Sequence, residues 1–479
     1  MPTPPETPTA APLLWYTDRT RSDQGLARCR RQRYLSTLFG PTGYGIAPAS
    51  ESLPLATGLS VHDGYEQLGR ILQTADRLPT AEETRAIVAE VQQAYVAKVE
   101  ARGYLGILAG PLTDETIAEQ RVLLSGLLWA LRLRFLPWFH EHYRILSLEE
   151  ERIHFLTCTC GAGPLPPADH VARGCQGIAL QLRRDCLAER RGTSTLAYFE
   201  LKTTGWESEA WAEQWETKPQ LAIGTLDVEQ QWPGREVTEI YVVALNKGRR
   251  VKDPYEVDDG TPKRKKQQTP LCYGYCRPSN PPLQPEDWLP AYQWTTEDGT
   301  IRRASKQHRR TGVWELKDSD WTTWIAYHAQ EPTMPAEEFW VRNLPTALLD
   351  KVCYLVGPLN RQDTQLKSLI EGMRADEEAW QAIAWDLYET QQQYAWASPA
   401  FQQLLDRLVP CSWACRPFGR EHQCAFVPIC FREQGWDDPL ATGRFKPRRP
   451  HHAPELAQAV ARGLLVEQAE DESEEEDRG

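Results

Sequence analysis

The feature that most narrows the fold is a change of hydrophobic period near residue 144. Upstream, three stretches read as helices: "SVHDGYEQLGRILQTA" (60–75), "TAEETRAIVAEVQQAYVAKVEARG" (80–103) and "TDETIAEQRVLLSGLLWALRLRFLPWF" (113–139). Their apolar residues recur at three- and four-residue steps, and Thr80 with Glu83 forms a capping-box pattern. Downstream the repeat shortens. "RIHFLTC" (152–158), "GIALQLRRDCLA" (177–188), "TLAYFELKTT" (195–204) and "TEIYVVALNKG" (238–248) read as strands. "AERRGTS" (188–194) can turn the second strand into the third, and the Trp-rich "SEAWAEQWETKPQLAIGTL" (208–226) reads as a helix before the fourth. Helix, strand, hairpin, helix, strand predicts an α/β core around a mixed sheet.

Around that core, residues 1–13 are Pro/Thr-rich and expected to be disordered, and 14–57 form a compact segment carrying Cys29. The helical region is 58–143 and the sheet core 144–250. A basic, loop-rich region follows at 251–334, helix returns over 335–408, cysteines gather in 409–440, and 466–479 read as an acidic disordered tail. No internal repeat is visible.

With 479 residues and 41% apolar content the chain can bury a large core. Its net charge is -12, but the last thirteen residues hold eight acids and one arginine, more than half of that excess. Basic runs remain at 28–33, 246–253, 263–268 and 302–310, so a basic groove is compatible with the acidic total, as are solvated loops. The N-terminus lacks the basic start and long apolar run of a secretory signal. The apolar "VLLSGLLWALRLRFLPWF" (122–139) is interrupted by Arg132 and Arg134, which favours a buried helix over a membrane span. The expectation is an intracellular (cytoplasmic) protein that does not engage membranes, its twelve cysteines free or metal-bound.

Within "LAYFELKTTG" (196–205), Glu200 and Lys202 lie two residues apart and so share one strand face. If 188–194 is a hairpin turn, Asp185 can face Glu200 across it. Two converging carboxylates make a hard-oxygen site suited to Mg²⁺ or Mn²⁺. A neighbouring lysine can orient a water or steady a phosphate oxygen, the layout of metal-assisted phosphodiester hydrolysis. This spacing alone equally describes a surface ion pair on a strand.

Two further stretches extend the pattern: "GLSVHDGYEQL" (58–68), with His62, and "ETKPQLAIG", with Gln220. In this order, Gly58-x-x-x-His62, Asp185, Glu200-x-Lys202 and Gln220, the chain resembles the RecB-like branch of the PD-(D/E)XK nucleases. "RILSLEEERIHF" (144–155) also resembles that family's first core strand, with Glu149 as its acidic residue. The resemblance runs from about residue 25 to 431. It implies a restriction-endonuclease-like mixed sheet with a large helical insertion. It also implies metal ligation by His62, Asp185, Glu200 and the Leu201 carbonyl, and a catalytic set of Asp185, Glu200, Lys202 and Gln220. Two positions depart from the family pattern: Gly224 stands where a tyrosine is usual four residues after Gln220, and Arg184 precedes Asp185 where proline is common.

"CRPFGREHQCAFVPIC" places Cys415, Cys424 and Cys430 with eight and five residues between them, enough thiolates for one soft metal centre. Zinc suits four cysteines on geometry. The family resemblance implies instead a [4Fe–4S] cluster held by Cys29 with Cys415, Cys424 and Cys430, as in AddB-like and CRISPR-associated relatives, pinning the chain ends together. Cys411 competes with Cys415 for that role. The close pairs Cys158/Cys160 and Cys272/Cys276 lack partner pairs at zinc-ribbon spacing and read as core or loop thiols.

The resemblance thus implies a metal-dependent DNA nuclease, an exonuclease on single-stranded ends. Alternatives are a catalytically silent DNA-binding or assembly protein of the same fold, and an endonuclease. Trp206, Trp211 and Trp215 border the site in sequence and can stack on bases, although Trp211 and Trp215 also have the spacing of helix packing. No G-x-x-x-x-G-K-[ST] phosphate loop is present, so any unwinding would fall to a separate helicase or recombination partner.

Overall fold

The computed structural model describes residues 15–18, 21, 29–40, 42–49, 53–102, 113–158, 177–205, 209–216, 218–232 and 234–251. It also describes the short pieces 268–270, 293–295, 301–307, 314–315, 338 and 341, and then 346–359, 363–411, 424–449 and 452–461. Residues 1–13, the tail 466–479, most of the basic region 251–334, and Trp206, Cys160, Cys272, Cys276 and Cys415 lie outside the described residues.

The helical half contains α1 (Arg30–Thr37), α2 (Leu53–Ala75), α3 (Ala81–Arg102), α4 (Asp114–Ala130) and, after one π turn, α5 (Leu136–His142). Helix α2 buries Val61, Tyr65, Leu68 and Leu72, a stripe at helical spacing that faces the core. The capping box forms as read: Thr80 N–H donates to Glu83 (2.7 Å) and Glu83 N–H to the Thr80 hydroxyl (3.1 Å). The run Thr116–His142 is long and apolar enough to cross a bilayer, but 72% of its most apolar window is buried inside the protein. Arg132 and Arg134 sit in the π turn and reach the Pro79 carbonyl and Asp350. It is a core helix, as the two arginines suggested.

The central sheet is built from β1 (Trp15–Asp18), β3 (Tyr143–Cys158), β4 (Gly177–Arg190), β5 (Leu196–Thr204), β6 (Val237–Asn246) and β12 (Cys353–Val356). It is mixed, with order β1-β4-β5-β6-β12 and β3 also paired to β4. Apart from it, β7 (Arg249–Val251) pairs with β8 (Gln268–Pro270), and β10 (Ile301–Gln307) pairs with β9 (Gln293–Thr295) and β11 (Trp314–Glu315). β3 and β5 run antiparallel to β4, β6 runs parallel to β5, and β12 closes the edge antiparallel to β6. The β4–β5 turn is the expected hairpin, with Gly192 at φ +76° and Arg190 N–H bonded to the Thr195 carbonyl. The parallel β5–β6 pair needs a crossover, supplied by α7 (Pro219–Gln231) after the short α6 (Glu209–Glu213).

One face of the sheet packs on α2–α5 through Ala197, Phe199, Leu201, Val243 and Leu245. On the other face Tyr198, Ile240 and Val242 meet Trp215 and Leu221. With both faces covered, β5 is buried almost throughout.

β3 begins at Tyr143, as the stretch 144–155 suggested and nine residues before the alternating run at 152–158. Two sequence expectations need correction. The helix read over 208–226 is broken before Pro219, since proline fits only the first turn. The segment 335–408 is not helix throughout. Alongside α8 (Thr346–Val352), α9 (Asp363–Gln393) and α10 (Pro399–Leu408) it holds β12, a four-residue strand too short to show a period. The compact N-terminal segment contributes β1, parallel to the first half of β4.

Segments from the N- and C-terminal parts of the described chain meet. β2 (Ile46–Pro48) pairs with β13 (Phe445–Pro447), and α1 packs with α9, α10 and α11 (Val427–Cys430) around Tyr34, Trp380, Phe401 and Phe426. Arg21 makes a bidentate ion pair with Glu455 of α12 (Ala453–Ala461) at 2.6 and 2.7 Å, and Arg33 pairs with Glu377; all four residues are buried.

Candidate active site

The site forms where one edge of β4 changes partner. Residues 178–181 of that edge pair with β1, and residues 186–189 pair with β5. Between these ladders β4 and β5 separate, and Asp185 sits at the fork, one residue before the Cys186–Phe199 register. A side chain there takes over from the main chain: Leu201 N–H donates to Asp185 Oδ2 at 2.6 Å. Leu201 enters the described site through that N–H, while its side chain packs in the core.

On β5, period two carries Tyr198, Glu200 and Lys202 to the α7 side. Glu200 is fully buried, and three donors converge on it: the Tyr198 hydroxyl on Oε2, with Lys202 Nζ and Gln220 Nε2 on Oε1. A buried carboxylate requires such partners. Burial first, and then the charges of Glu200 and Asp185, push the Tyr198 phenol well above its ordinary pKa, so it stays protonated and donates.

Gly224 leaves room for Tyr198. A Cβ at Gly224 would lie 2.7 Å from Tyr198 Cζ, so the phenol ring fills the space over α7 that a side chain at 224 would need. Arg184 points away from the fork and is fully buried. It bonds Asp227 (2.7 Å), Ser147 (2.9 Å), Gln231 (3.0 Å) and Glu150, and so ties β3, β4 and α7 together.

From the opposite side α2 delivers His62. Gly58 permits the approach, because a Cβ there would stand 3.1 Å from Thr203 Oγ1 of β5. His62 Nδ1 lies 3.0 Å from Glu149 Oε1 and 3.9 Å from Asp185 Oδ1. Burial opposes the imidazolium, but Asp185 and the Glu149 hydrogen bond outweigh it and raise the His62 pKa. Glu149 is itself unusual: its φ is +45° in the middle of β3, a left-handed conformation costing about 1 kcal/mol or more for a side chain with a Cβ. Ligand atoms of His62, Glu149 and Asp185 lie within 4.8 Å of one another, and among the described residues no other group of three does. One imidazole and two carboxylates fit a hard divalent cation.

Each residue predicted for the fork can therefore be placed. His62 and Asp185 come together with Glu149. Glu200, Lys202 and Gln220 come together with Tyr198. Asp185 and the Leu201 N–H join the two sets. Tyr198 and Arg183, whose Nε lies 2.7 Å from Glu149 Oε2, were not singled out in the sequence. The period-two rule places Tyr198 on the Glu200 face and could have found it. Trp211 and Trp215 pack edge to face, with Trp215 buried, as helix packing would have them.

Four of the described cysteines, Cys29, Cys411, Cys424 and Cys430, come from the N- and C-terminal segments, whereas Cys158, Cys186 and Cys353 lie on sheet strands. Cys29 is buried at the start of α1, and Cys424 and Cys430 pack against the Tyr34–Phe426 cluster. Burial raises the Cys424 thiol pKa, and the nearby Cys29 and Cys411 push it the same way. Cys29, Cys411 and Cys424, from opposite ends of the sequence, thus feel one another electrostatically, but among the described residues no three cysteine sulfurs fall within 4.8 Å of one another. No family model and no curated protein matches the chain.

Proposed function

We propose that the protein is a metal-dependent deoxyribonuclease that acts on single-stranded DNA ends, with the fork between β4 and β5 as its active site. The observation that carries this reading is the convergence there of a cation-ready group (His62, Glu149, Asp185) and a buried carboxylate–lysine–glutamine set (Glu200, Lys202, Gln220). It also rests on the ordered resemblance to RecB-like nucleases and implies the restriction-endonuclease-like form of the mixed sheet.

His62, Glu149 and Asp185 would hold Mg²⁺ or Mn²⁺, with Glu200 and the Leu201 carbonyl completing the set. The ion supplies Lewis-acid polarisation of the phosphate and of a water. The chain's own groups do the rest. Glu200, clamped by Tyr198 and Gln220, anchors the Lys202 ammonium. Lys202 is part-exposed, and its Nζ can orient the attacking water and hold a phosphate oxygen. The Leu201 N–H keeps the Asp185 carboxylate turned toward His62.

A second, structural metal centre follows from the resemblance alone, since Cys415 lies outside the described residues and no three described cysteine sulfurs fall within 4.8 Å of one another. Its proposed form is a [4Fe–4S] cluster on Cys29, Cys415, Cys424 and Cys430, with Cys411 in place of Cys415 as the variant and Zn²⁺ as the alternative metal. Iron and zinc content of anaerobically purified protein distinguishes the two metals.

The activity test is cleavage of end-labelled single-stranded DNA with Mg²⁺, Mn²⁺ or EDTA, wild type beside Lys202→Ala. Metal-dependent degradation that falls about a hundredfold or more in Lys202→Ala is expected. Equal cleavage by both proteins would sink the site assignment. Closed circular single strands should resist an exonuclease, and cutting them would favour the endonuclease reading. Metal-loaded protein that binds DNA without cutting would favour the silent assembly protein, or a requirement for a helicase partner.

A further inference from the structure

One cation in the fork has no part in the reading above. Arg183 is on β4, two residues before Asp185 and on the same strand side. Its Nε lies 2.7 Å from Glu149 Oε2, and its Nη2 lies 3.8 Å from Glu66 Oε2. Glu66 in turn bonds Arg70 at 2.9 Å, and Arg70 reaches the Leu148 carbonyl. A charged chain thus runs Arg70, Glu66, Arg183, Glu149, His62, Asp185. Its two arginines are the open members: Arg183 and Arg70 are 47% and 48% exposed, against 2% for Glu149.

We propose that Arg183, with Arg70 beside it, is the phosphate-binding edge of this site, engaging the backbone of the nucleotides next to the scissile bond. The proposal rests on the nuclease reading and names the substrate contact for it. Two physical points carry it. Arginine presents a rigid fork matched to phosphate oxygens, and half of this one already faces solvent. Both oxygens of Glu149 are engaged, one by His62 and one by Arg183. A cation bound at Glu149 would weaken the hold on Arg183 and leave its guanidinium free for an incoming anion.

The test is binding of a labelled single-stranded oligonucleotide by fluorescence anisotropy across a salt series, with Ca²⁺ replacing Mg²⁺, followed by cleavage kinetics in Mg²⁺. Arg183→Gln should weaken binding about three- to tenfold and flatten the slope of log affinity against log salt by about 0.7, the share of one phosphate contact on a single strand. It should raise KM more than it lowers kcat. Arg70→Gln should show the same pattern more mildly, and Arg183→Lys should recover most of the salt slope. Because Arg183→Gln also frees a buried carboxylate, thermal melts accompany each variant, and Arg70→Gln serves if Arg183→Gln does not fold. An unchanged slope in folded Arg183→Gln or Arg70→Gln, with wild type binding and cutting normally, overturns this proposal alone. Lost kcat at unchanged binding would mean Arg183 acts only through Glu149, and overturns it too. A wild-type protein that neither binds nor cuts the strand overturns the nuclease reading together with it.

Discussion

Glu149 concentrates the residue-scale argument. Its backbone is held where glycine is comfortable, while its carboxylate is aimed at His62. Glu149→Gly and Glu149→Ala both delete the carboxylate, so their difference isolates the backbone. The glycine variant should be the more stable by about 1 kcal/mol in urea unfolding, the reverse of the usual order within a strand. Equal stabilities would mean that β3 relaxes its conformation once the carboxylate is gone. Both variants should lose Mn²⁺ affinity in calorimetric titration. A second residue-scale expectation concerns thiols. Burial pushes Cys186 and Cys353 up to about 12, so neither forms thiolate in the physiological range. Iodoacetamide should leave both unmodified in the folded protein from pH 7 to pH 9, while the exposed Cys411 reacts in metal-free protein. Mass-spectrometric mapping of the modified peptides reads this directly.

Among elements, the contact of β5 with α7 decides how firmly Glu200 is held. Tyr198 fits because position 224 has no side chain. Gly224→Ala should therefore cost about 1–3 kcal/mol by overpacking and displace the phenol from Glu200. In a Tyr198→Ala background the same substitution should cost much less, and a double-mutant cycle should return a coupling of at least about 0.5 kcal/mol. Additive effects would show that the ring moves aside freely. Tyr198→Phe keeps the ring but leaves Glu200 Oε2 without its donor. It should destabilise by about 1–3 kcal/mol with no rescue by changes at 224.

For the whole molecule, the closure of the chain ends is the distinctive feature. Strand β1 completes the sheet edge beside the fork, and helix α12 locks β1's neighbour Arg21 with Glu455, backed by Asp18 and Gln181. Each of these side chains is buried, so removing one partner strands the others. Glu455→Ala should cost about 3–5 kcal/mol in denaturant unfolding, well beyond a surface ion pair. A loss below about 1 kcal/mol would show that water or a neighbouring side chain replaces the carboxylate.

What could be read directly was local. The change of period identified the helical half and strands β3–β6, and the two-residue repeat put Glu200 and Lys202 on one face. The capping box and the β4–β5 hairpin also formed as written. These features are encoded within a turn or two of chain, where backbone geometry alone fixes which side chains neighbour each other. Other features came only from tertiary structure. Nothing local distinguishes Cys353–Val356 from a helix end until the free edge of β6 takes it up. Nothing local says that β4 divides one edge between β1 and β5, leaving Asp185 at the opening. The left-handed Glu149, the ring of Tyr198 over Gly224 and the reach of Arg183 toward Glu149 follow from that arrangement. Residue types and shared faces were written in the sequence. The fork that makes them a site was decided by which distant segments packed together, because strand pairing and helix docking are selected by the burial of the whole core.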